Sequence, residues 1–297
     1  MKTIELLTDT HFKTGFHVLG INPTINHRKI YKYLDYNGEA YRINWPVWQM
    51  AQWWTPFDLS ESTFKKSEDR FIYDTPSRHI EVNPKTGYLK MDLFGSKEYP
   101  LGPRKSGSEP WSHLLIEQDF NESVSLDFLK SLTLKLSFQI ESVQDENQGL
   151  FNPNLHAAQF LWYFVIHDTG IEGSKGYGNF KEFFWFGIPL FDSRYPFIEE
   201  SMHVDQGGIG TTGRLIYSMS NRNYLKEPIQ FGKPYDIEID ILPFVLKAKQ
   251  YALDHGYLKR HDQANYQIGY MNLGWELPGR YDVKSHIQGI SALAVLK

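Results

Sequence analysis

The sequence predicts an all-β protein: a two-sheet antiparallel jelly-roll sandwich with one short helix. Residues 131–140 alternate completely between apolar and polar side chains, the pattern of a strand with one buried face. About a dozen such segments are separated by turn residues rather than by helices. A helical pattern is clear only at 244–255, before Gly256. With no repeat or linker between the segments, residues 1–297 are interpreted as a single jelly-roll domain.

Residues 155–191 form the most apolar part of the chain and are predicted to supply two central, paired strands. Their aromatic and β-branched side chains suit a buried pleated surface, and a glycine-rich segment separates them. Side chains alternate across a strand, so one set is assigned to the core: Phe160, Trp162 and Phe164. The other set is expected to face a cleft: Gln159, Tyr163 and His167.

Further strands follow from apolar runs that flank turn residues. We predict hairpins from 29–34 with 40–44 and from 78–83 with 88–94, and a polar loop or short helix at 60–69. Residues 95–110 are predicted to be a long exposed connection. The remaining segments of this kind are 114–120, 214–220, 235–241, 266–277 and 281–296.

Composition excludes several classes of function. The formal net charge of −4 gives no reason to expect nucleic acid or an anionic membrane as partner, and no apolar run is long enough to span a bilayer. Without cysteine, the chain has no disulfide or Cys-ligated zinc. The N-terminus does not have the pattern of a signal peptide, which predicts a cytoplasmic protein, or a secreted one whose signal has been removed.

The strand at 235–241 places three carboxylates on one face: Asp236, Glu238 and Asp240. Neighbours two residues apart lie ~7 Å from each other, and repulsion between them can raise one pKa, as an acid catalyst requires. The alternative is a solvated outer face, where most charged side chains are found.

The side chains on one face of the predicted strands in 155–191 and 266–277 indicate a sugar-binding groove. In it Tyr163, Trp185 and Tyr270 would stack on sugar rings. The groups expected to bond hydroxyls are Gln159, His167, Asn272 and Glu276. For an acidic sugar, Arg104 or Arg214 would neutralise the carboxylate. The alternative is that both strands are buried on two sides, with their polar groups satisfied.

Residues 45–54 contain half of the tryptophans of the chain, either as a buried packing element or as a stacking platform. The histidines are too scattered to predict a metal site: His203 and Asp205 share a face but lack a third ligand nearby in sequence. We therefore expect no cofactor, while calcium on carboxylates and carbonyls is compatible with such a fold.

The segment Glu238-Ile239-Asp240-Ile241 resembles the Glu-x-Asp-x-x-Glu strand of laminarinase-type glycoside hydrolases, members of the concanavalin A-like jelly-roll superfamily. The resemblance implies a nucleophilic role for Glu238, with Asp240 tuning it. Leu242 and Pro243 stand where the family has its second Glu. More broadly, the strand pattern and the aromatic content resemble lectin-like and glycan-lyase jelly rolls.

These patterns predict a carbohydrate-active protein whose partner is an oligo- or polysaccharide. Hydrolysis would use Glu238 with Glu276 or Asp240, whereas a lyase would use Tyr163 or His167 as its proton-transfer group. Two alternatives stay open: a non-catalytic carbohydrate-binding module and a structural sandwich without ligand. The sequence does not predict the oligomeric state.

Overall fold

The computed structural model describes residues 2–26, 29–41, 45–120, 124–174, 180–206 and 211–297. In chain order the strands are β1 (Thr3–Glu5), β2 (Phe16–Leu19), β3 (Ile30–Leu34), β4 (Trp48–Ala51), β5 (Thr63–Ser67), β6 (Arg70–Asp74), β7 (Arg78–Asn83), β8 (Tyr88–Phe94), β9 (Ser112–Asp119), β10 (Leu129–Asp145), β11 (Gln159–Asp168), β12 (Phe183–Asp192), β13 (Ser201–Val204), β14 (Leu215–Ser218), β15 (Pro234–Asp240), β16 (Tyr266–Leu277) and β17 (Tyr281–Leu296). The helices are α1 (Pro23–Asn26), α2 (Gly95–Glu98) and α3 (Leu242–Asp254).

The strands form two sheets. Sheet A has the order β15-β10-β17-β8-β7-β6-β5, with β1 added beside β17. Sheet B has the order β13-β14-β12-β11-β16-β9-β4-β2-β3. In the described chain all neighbouring strands are antiparallel except β12 with β14 and β2 with β4. The predicted all-β jelly-roll sandwich is therefore confirmed, with two parallel pairings that the sequence did not indicate.

The core lies between the two sheets, and strand alternation selects the side chains that enter it. Sheet B contributes the aromatic side chains expected from the central pair, each fully buried: Phe160, Trp162 and Phe164. Sheet A contributes the alternating apolar set of β10: Leu132, Leu134, Leu136, Phe138 and Ile140. Trp275 reaches across the core from β16, and its indole N–H donates to the Met91 carbonyl (3.2 Å) and the Ser285 hydroxyl (2.9 Å) of sheet A.

Several predicted elements are found where the pattern placed them. The hairpin of β7 and β8 has the predicted bounds, and β11 pairs with β12. The helix α3 ends at Asp254, and Gly256 after it has a φ of +74°, the left-handed conformation that glycine adopts without strain. Among the described residues, no helix is both long and apolar enough to cross a membrane.

Two sequence predictions for sheet edges differ from the described structure. β3 pairs with β2, Ala40 and Tyr41 form no strand, and the rest of the predicted partner, 42–44, lies outside the described residues. After β3 the chain forms a 3-10 turn at Tyr36–Gly38, in which the buried Tyr36 donates its backbone N–H to the Tyr73 hydroxyl (2.8 Å). Residues 60–69, predicted to be a polar loop or short helix, contain the end of a 3-10 helix at Leu59–Glu61 and then β5, an exposed edge strand without alternating burial.

A buried ion pair joins the two sheets beside the place where β9 begins. The guanidinium of Arg78 on β7 lies 2.7 Å from a carboxylate oxygen of Glu98 on α2, and both side chains have 0% exposure. Arg78 also donates to the Ser112 hydroxyl (2.9 Å) and to the His113 carbonyl (3.2 Å) of sheet B, and to the Thr55 hydroxyl. This one side chain therefore sets the position of β9 relative to sheet A.

Removing one member of this pair leaves a buried charge without its partner. We expect Arg78→Met to lower the free energy of unfolding by about 3–5 kcal/mol, and Arg78→Met with Glu98→Gln to cost less than the single change. Urea denaturation measures both. Lys135→Met removes an exposed pair with Glu238 and is the control, with an expected cost of at most about 1 kcal/mol. Equal costs for Arg78→Met and Lys135→Met would contradict the assigned role.

Candidate functional site

A cleft of about 730 Å³ opens on the face of sheet B that is turned away from sheet A. Its floor is formed by β9, β11, β12 and β16, and one wall by the segment 192–206 that follows β12. The opposite wall is formed by residues 53–54 and 110–111. This volume is typical of cavities that hold small ligands or part of a longer one.

The cleft combines aromatic rings with hydrogen-bonding groups. Its aromatic lining is Trp53, Trp54, Trp111, Tyr163, Trp185, Tyr195 and Phe197. Its polar lining includes His113, Gln159, Asp192, Arg194, His203, Asp205, Ser218, Asn272 and Glu276. These groups come from both walls and the floor, so a ligand in the cleft meets rings and polar atoms together.

Gly187 in the floor leaves the space that the Tyr163 ring occupies. A Cβ at Gly187, the neighbour of Tyr163 on β12, would lie 2.6 Å from the Tyr163 ring and 2.7 Å from the Ser218 hydroxyl. On the other side of Tyr163 stands Asn272, which lines the cleft, is 6% exposed, and has a buried Oδ1 without a hydrogen-bond partner in the described chain. The floor therefore contains a buried acceptor that the described chain leaves unbonded.

Glu276 is a carboxylate of the floor. Two side chains hold it: Trp111, directly before β9, and His113 on β9. The indole N–H of Trp111 donates to its Oε2 (3.2 Å), and His113 Nε2 lies 3.5 Å from the same oxygen. Burial opposes the charged form of Glu276, but His113 and the Trp111 hydrogen bond outweigh it and bring its pKa below the ordinary value. Glu276 is therefore a carboxylate at neutral pH.

The His113 ring is fixed by its neighbours. Its Nδ1 lies 2.8 Å from the Trp111 carbonyl, and since a carbonyl only accepts, Nδ1 carries the proton of this hydrogen bond. Trp53 and Trp111 pack against the ring, with centroids at 5.3 and 5.5 Å. Nε2 is left to face Glu276.

Arg104 supports this wall instead of binding a ligand. Its guanidinium stacks 4.9 Å from the Trp111 ring, and its N–H groups donate to five backbone carbonyls. The role expected for it, neutralising a substrate carboxylate, is therefore wrong, because its donors are already used.

On the opposite wall, Asp205 accepts hydrogen bonds from the backbone N–H (2.7 Å) and the hydroxyl (2.6 Å) of Thr212. His203 stands nearby. Burial lowers its pKa, although the charges of Asp205 and Glu276 act in the opposite direction. In the part of the chain that the structure describes, no three His, Asp or Glu side chains converge as metal ligands.

Asp192 is held in a closed ion pair. Arg194 donates to its two carboxylate oxygens (2.9 and 2.6 Å), and the Gln159 amide donates to it at 2.8 Å. Across the strands, Gln159 faces Asp192 on one side and Glu276 on the other. Gln159 therefore stands between the two carboxylates and is bonded to Asp192.

The structure brings five of the sequence-predicted site residues into the cleft: Gln159, Tyr163, Trp185, Asn272 and Glu276. Glu238 and Asp240 require a correction because they lie on β15, the edge strand of sheet A. Glu238 has 63% side-chain exposure and pairs with Lys135 at 2.9 Å. Asp240 accepts from the backbone N–H groups of Leu132 (2.9 Å) and Leu242 (3.1 Å). Neither of them shares a site with Glu276.

Three more residues predicted to bind the ligand do not line the cleft: His167, Tyr270 and Arg214. His167 is 3% exposed, with the Phe180 ring 4.4 Å from its own. Tyr270 is fully buried beside Trp185, at 6.1 Å between ring centroids. Arg214 stacks 5.1 Å from the Phe183 ring and donates to the Lys181 carbonyl. His167 and Tyr270 have the predicted parity, but neighbouring rings cover them.

Sequence reasoning missed Trp111 and His113. It also missed that His203 and Asp205 line the same cleft as the floor residues. The parity of β9 was the available signal, because Leu114 and Ile116 enter the core and place His113 on the outer face. The tryptophan-rich segment divides between both predicted roles. Trp48 is buried in the core, whereas Trp53 and Trp54 line the cleft.

No protein-family model matches the chain, and no curated protein matches it. Solved structures of glycoside hydrolases resemble it at low identity. A family 12 xyloglucanase from Bacillus licheniformis is 11% identical, with a TM-score of 0.48, over 82% of this chain and 100% of that one. An endoglucanase from Rhodothermus marinus is 10% identical, with a TM-score of 0.43, over 77% and 93%. A family 11 xylanase from Neocallimastix patriciarum is 7% identical, with a TM-score of 0.39, over 79% and 95%.

A side chain at position 187 would displace the Tyr163 ring. We expect Gly187→Ala to lower the free energy of unfolding by about 1–3 kcal/mol, because the added methyl overlaps Tyr163 and Ser218. Gly107→Ala is the matched control, since a Cβ there meets nothing within 4 Å. Chemical denaturation of both variants checks this, and equal stabilities would show that Tyr163 does not depend on Gly187.

Burial lowers the pKa of His167 from 6.5 to about 4, against the opposing charge of Asp168. Between these pH values the unfolded chain binds a proton that the folded chain does not. Stability present above pH 6.5 is therefore lost as the pH falls towards about 4. We expect His167→Gln to remove up to about 3 kcal/mol of this loss. Unfolding measured from pH 7 to pH 4 checks it, with the exposed His11→Gln as control; parallel curves for His167→Gln and wild type would contradict it.

Proposed function

We propose that the cleft of sheet B binds an oligo- or polysaccharide. The observation that carries the proposal is the composition of the lining, in which aromatic rings and hydrogen-bonding groups occur together on the walls and on the floor. Sugar rings have apolar faces that stack on Trp and Tyr, and hydroxyls that need donors and acceptors at their edges. Gln159, Asn272 and Glu276 are the hydrogen-bonding side chains of the floor.

The charges of the cleft favour a neutral glycan over a polyanionic one. Arg194 is occupied by Asp192. Two carboxylates of the rim have their own cations outside the cleft: Glu199 pairs with Arg222, and Glu200 with Lys247. For Glu276 and Asp205, the described chain provides no Lys or Arg within ion-pair distance. A uronate would meet these two acids without a free guanidinium, which counts against the lyase reading.

Hydrolysis of a glycosidic bond is the second candidate function, and the presence of two acids in the lining, Glu276 and Asp205, favours it. Glu276 on the floor is ionised, as a nucleophile or general base must be. Asp205 stands on the wall, and the charges of both acids act on His203 and on Tyr163, so all four groups belong to one neighbourhood. In this candidate Glu276 acts as the base or nucleophile, and Asp205 is the carboxyl group that donates the proton to the leaving group.

Binding and cleavage can be tested separately on soluble xyloglucan, cello-oligosaccharides and xylan. We expect wild type to bind at least one of them in affinity electrophoresis, and Trp111→Ala to weaken that binding at least about tenfold, because it loses a ring and the Glu276 hydrogen bond. Glu238→Gln, on the other sheet, is the control and keeps wild-type binding. Retention of none of the glycans by wild type, or equal retention by Trp111→Ala, would contradict the proposal.

For the hydrolase candidate, release of reducing ends from the bound glycan is the measurement. Glu276→Gln keeps the size of the side chain but removes its charge, so we expect a loss of at least about a hundredfold in rate with binding retained. Equal rates for Glu276→Gln and wild type would exclude Glu276 from the chemistry. A wild type that binds without releasing reducing ends would leave carbohydrate binding as the function.

A further inference from the structure

Trp54 has a backbone conformation that tryptophan rarely adopts. Its φ is +60°, in the left-handed region where the Cβ of an ordinary residue is crowded. For a bulky side chain such a conformation costs free energy and persists only where the surrounding structure imposes it. The neighbouring bonds of Trp54 show how it is imposed.

The residues on both sides of Trp54 are clamped by buried hydrogen bonds. Before it, the fully buried Gln52 donates to the Leu19 carbonyl (2.9 Å) and accepts from the Leu59 N–H (2.6 Å). After it, Thr55 is 5% exposed, and its hydroxyl donates to Glu98 at 3.1 Å and accepts from Arg78. The buried ion pair between the sheets therefore also holds this turn.

The backbone of the turn itself is bonded as well. The Trp54 N–H donates to the Ile21 carbonyl at 2.8 Å, and the Trp53 carbonyl accepts from the His113 N–H at 3.0 Å. With both neighbours fixed, the indole of Trp54 is directed to the wall of the cleft, where it forms part of the lining.

Packing does not account for a tryptophan at this position. Within the described chain, Trp54 belongs to neither hydrophobic cluster, whereas Trp53 packs against the small cluster of Leu19, Ala51 and Leu115. Glycine would satisfy the same backbone without strain. A strained, half-buried indole that lines a cavity without packing in a core needs a different reason for its presence.

We propose that Trp54 is a sugar-stacking platform of the cleft, and that the strained turn is retained because it presents the indole ready for the ligand. The inference rests on the proposed carbohydrate binding and names a residue that determines it. A platform fixed before binding loses little conformational freedom when the sugar ring stacks, so the ring contributes more to affinity.

The test combines stability and binding for Trp54→Gly, because the two readouts move in opposite directions only if the proposal holds. Glycine relieves the strain and removes the indole. We expect thermal unfolding at or above the wild-type Tm, together with at least about tenfold weaker binding of the glycan that wild type retains among xyloglucan, cello-oligosaccharides and xylan. Trp54→Phe keeps a ring and is expected to recover part of the affinity.

Glu68→Gly is the matched control, since Glu68 has a φ of +54° in the turn between β5 and β6 of sheet A. It relieves the same strain far from the cleft, so its binding is expected to equal that of wild type. If wild type binds and Trp54→Gly binds equally well, the platform is refuted while carbohydrate binding stands. A lower Tm for Trp54→Gly would show a packing role and also refute it. Absence of binding by wild type would overturn both proposals.

Discussion

The ion pair of Arg78 and Glu98 is the interaction on which the cleft depends. A charge pair with no exposure is costly to desolvate, and it persists here because the hydrogen bonds of Arg78 extend to Thr55, Ser112 and His113. One guanidinium thus connects sheet A with the first residues of β9, Ser112 and His113, and with Thr55 beside the wall of the cleft. An apolar pair of similar volume could fill the space but could not orient three separate backbone segments. The geometry of the site is accordingly set from the core outward.

Alternation along strands predicted which side chains enter the core, because burial of every second residue leaves a direct record in the sequence. The leucines of β10 and the aromatic set of β11 follow it. Alternation does not record which sheet a strand joins. Glu238 and Glu276 both stand on the polar faces of well-patterned strands, yet β15 is the edge of sheet A and β16 lies inside sheet B. Their assignment to one site failed for that reason.

Parity also leaves open what covers an outward face. Tyr163 and His167 lie on the same side of β11, but only Tyr163 lines the cleft, since Phe180 packs on His167. The walls come from loops distant in sequence, and their contacts depend on tertiary packing rather than on local pattern. The tryptophans at 53–54 could be recognised as suitable for a ligand by residue type. The packing of Trp53 and Trp111 against His113 became evident only from the structure.

The position of β17 in sheet A has a consequence for how the protein acquires its structure during synthesis. It lies between β10 and β8 and also pairs with β1, so it joins parts of the sheet that are otherwise not bonded to each other. A nascent chain that has not yet released residues 281–296 from the ribosome would hold β5–β8 and β10 with β15 as two fragments with open edges. Such edges pair with other chains, which makes chaperone protection most important until β17 has emerged and joined them.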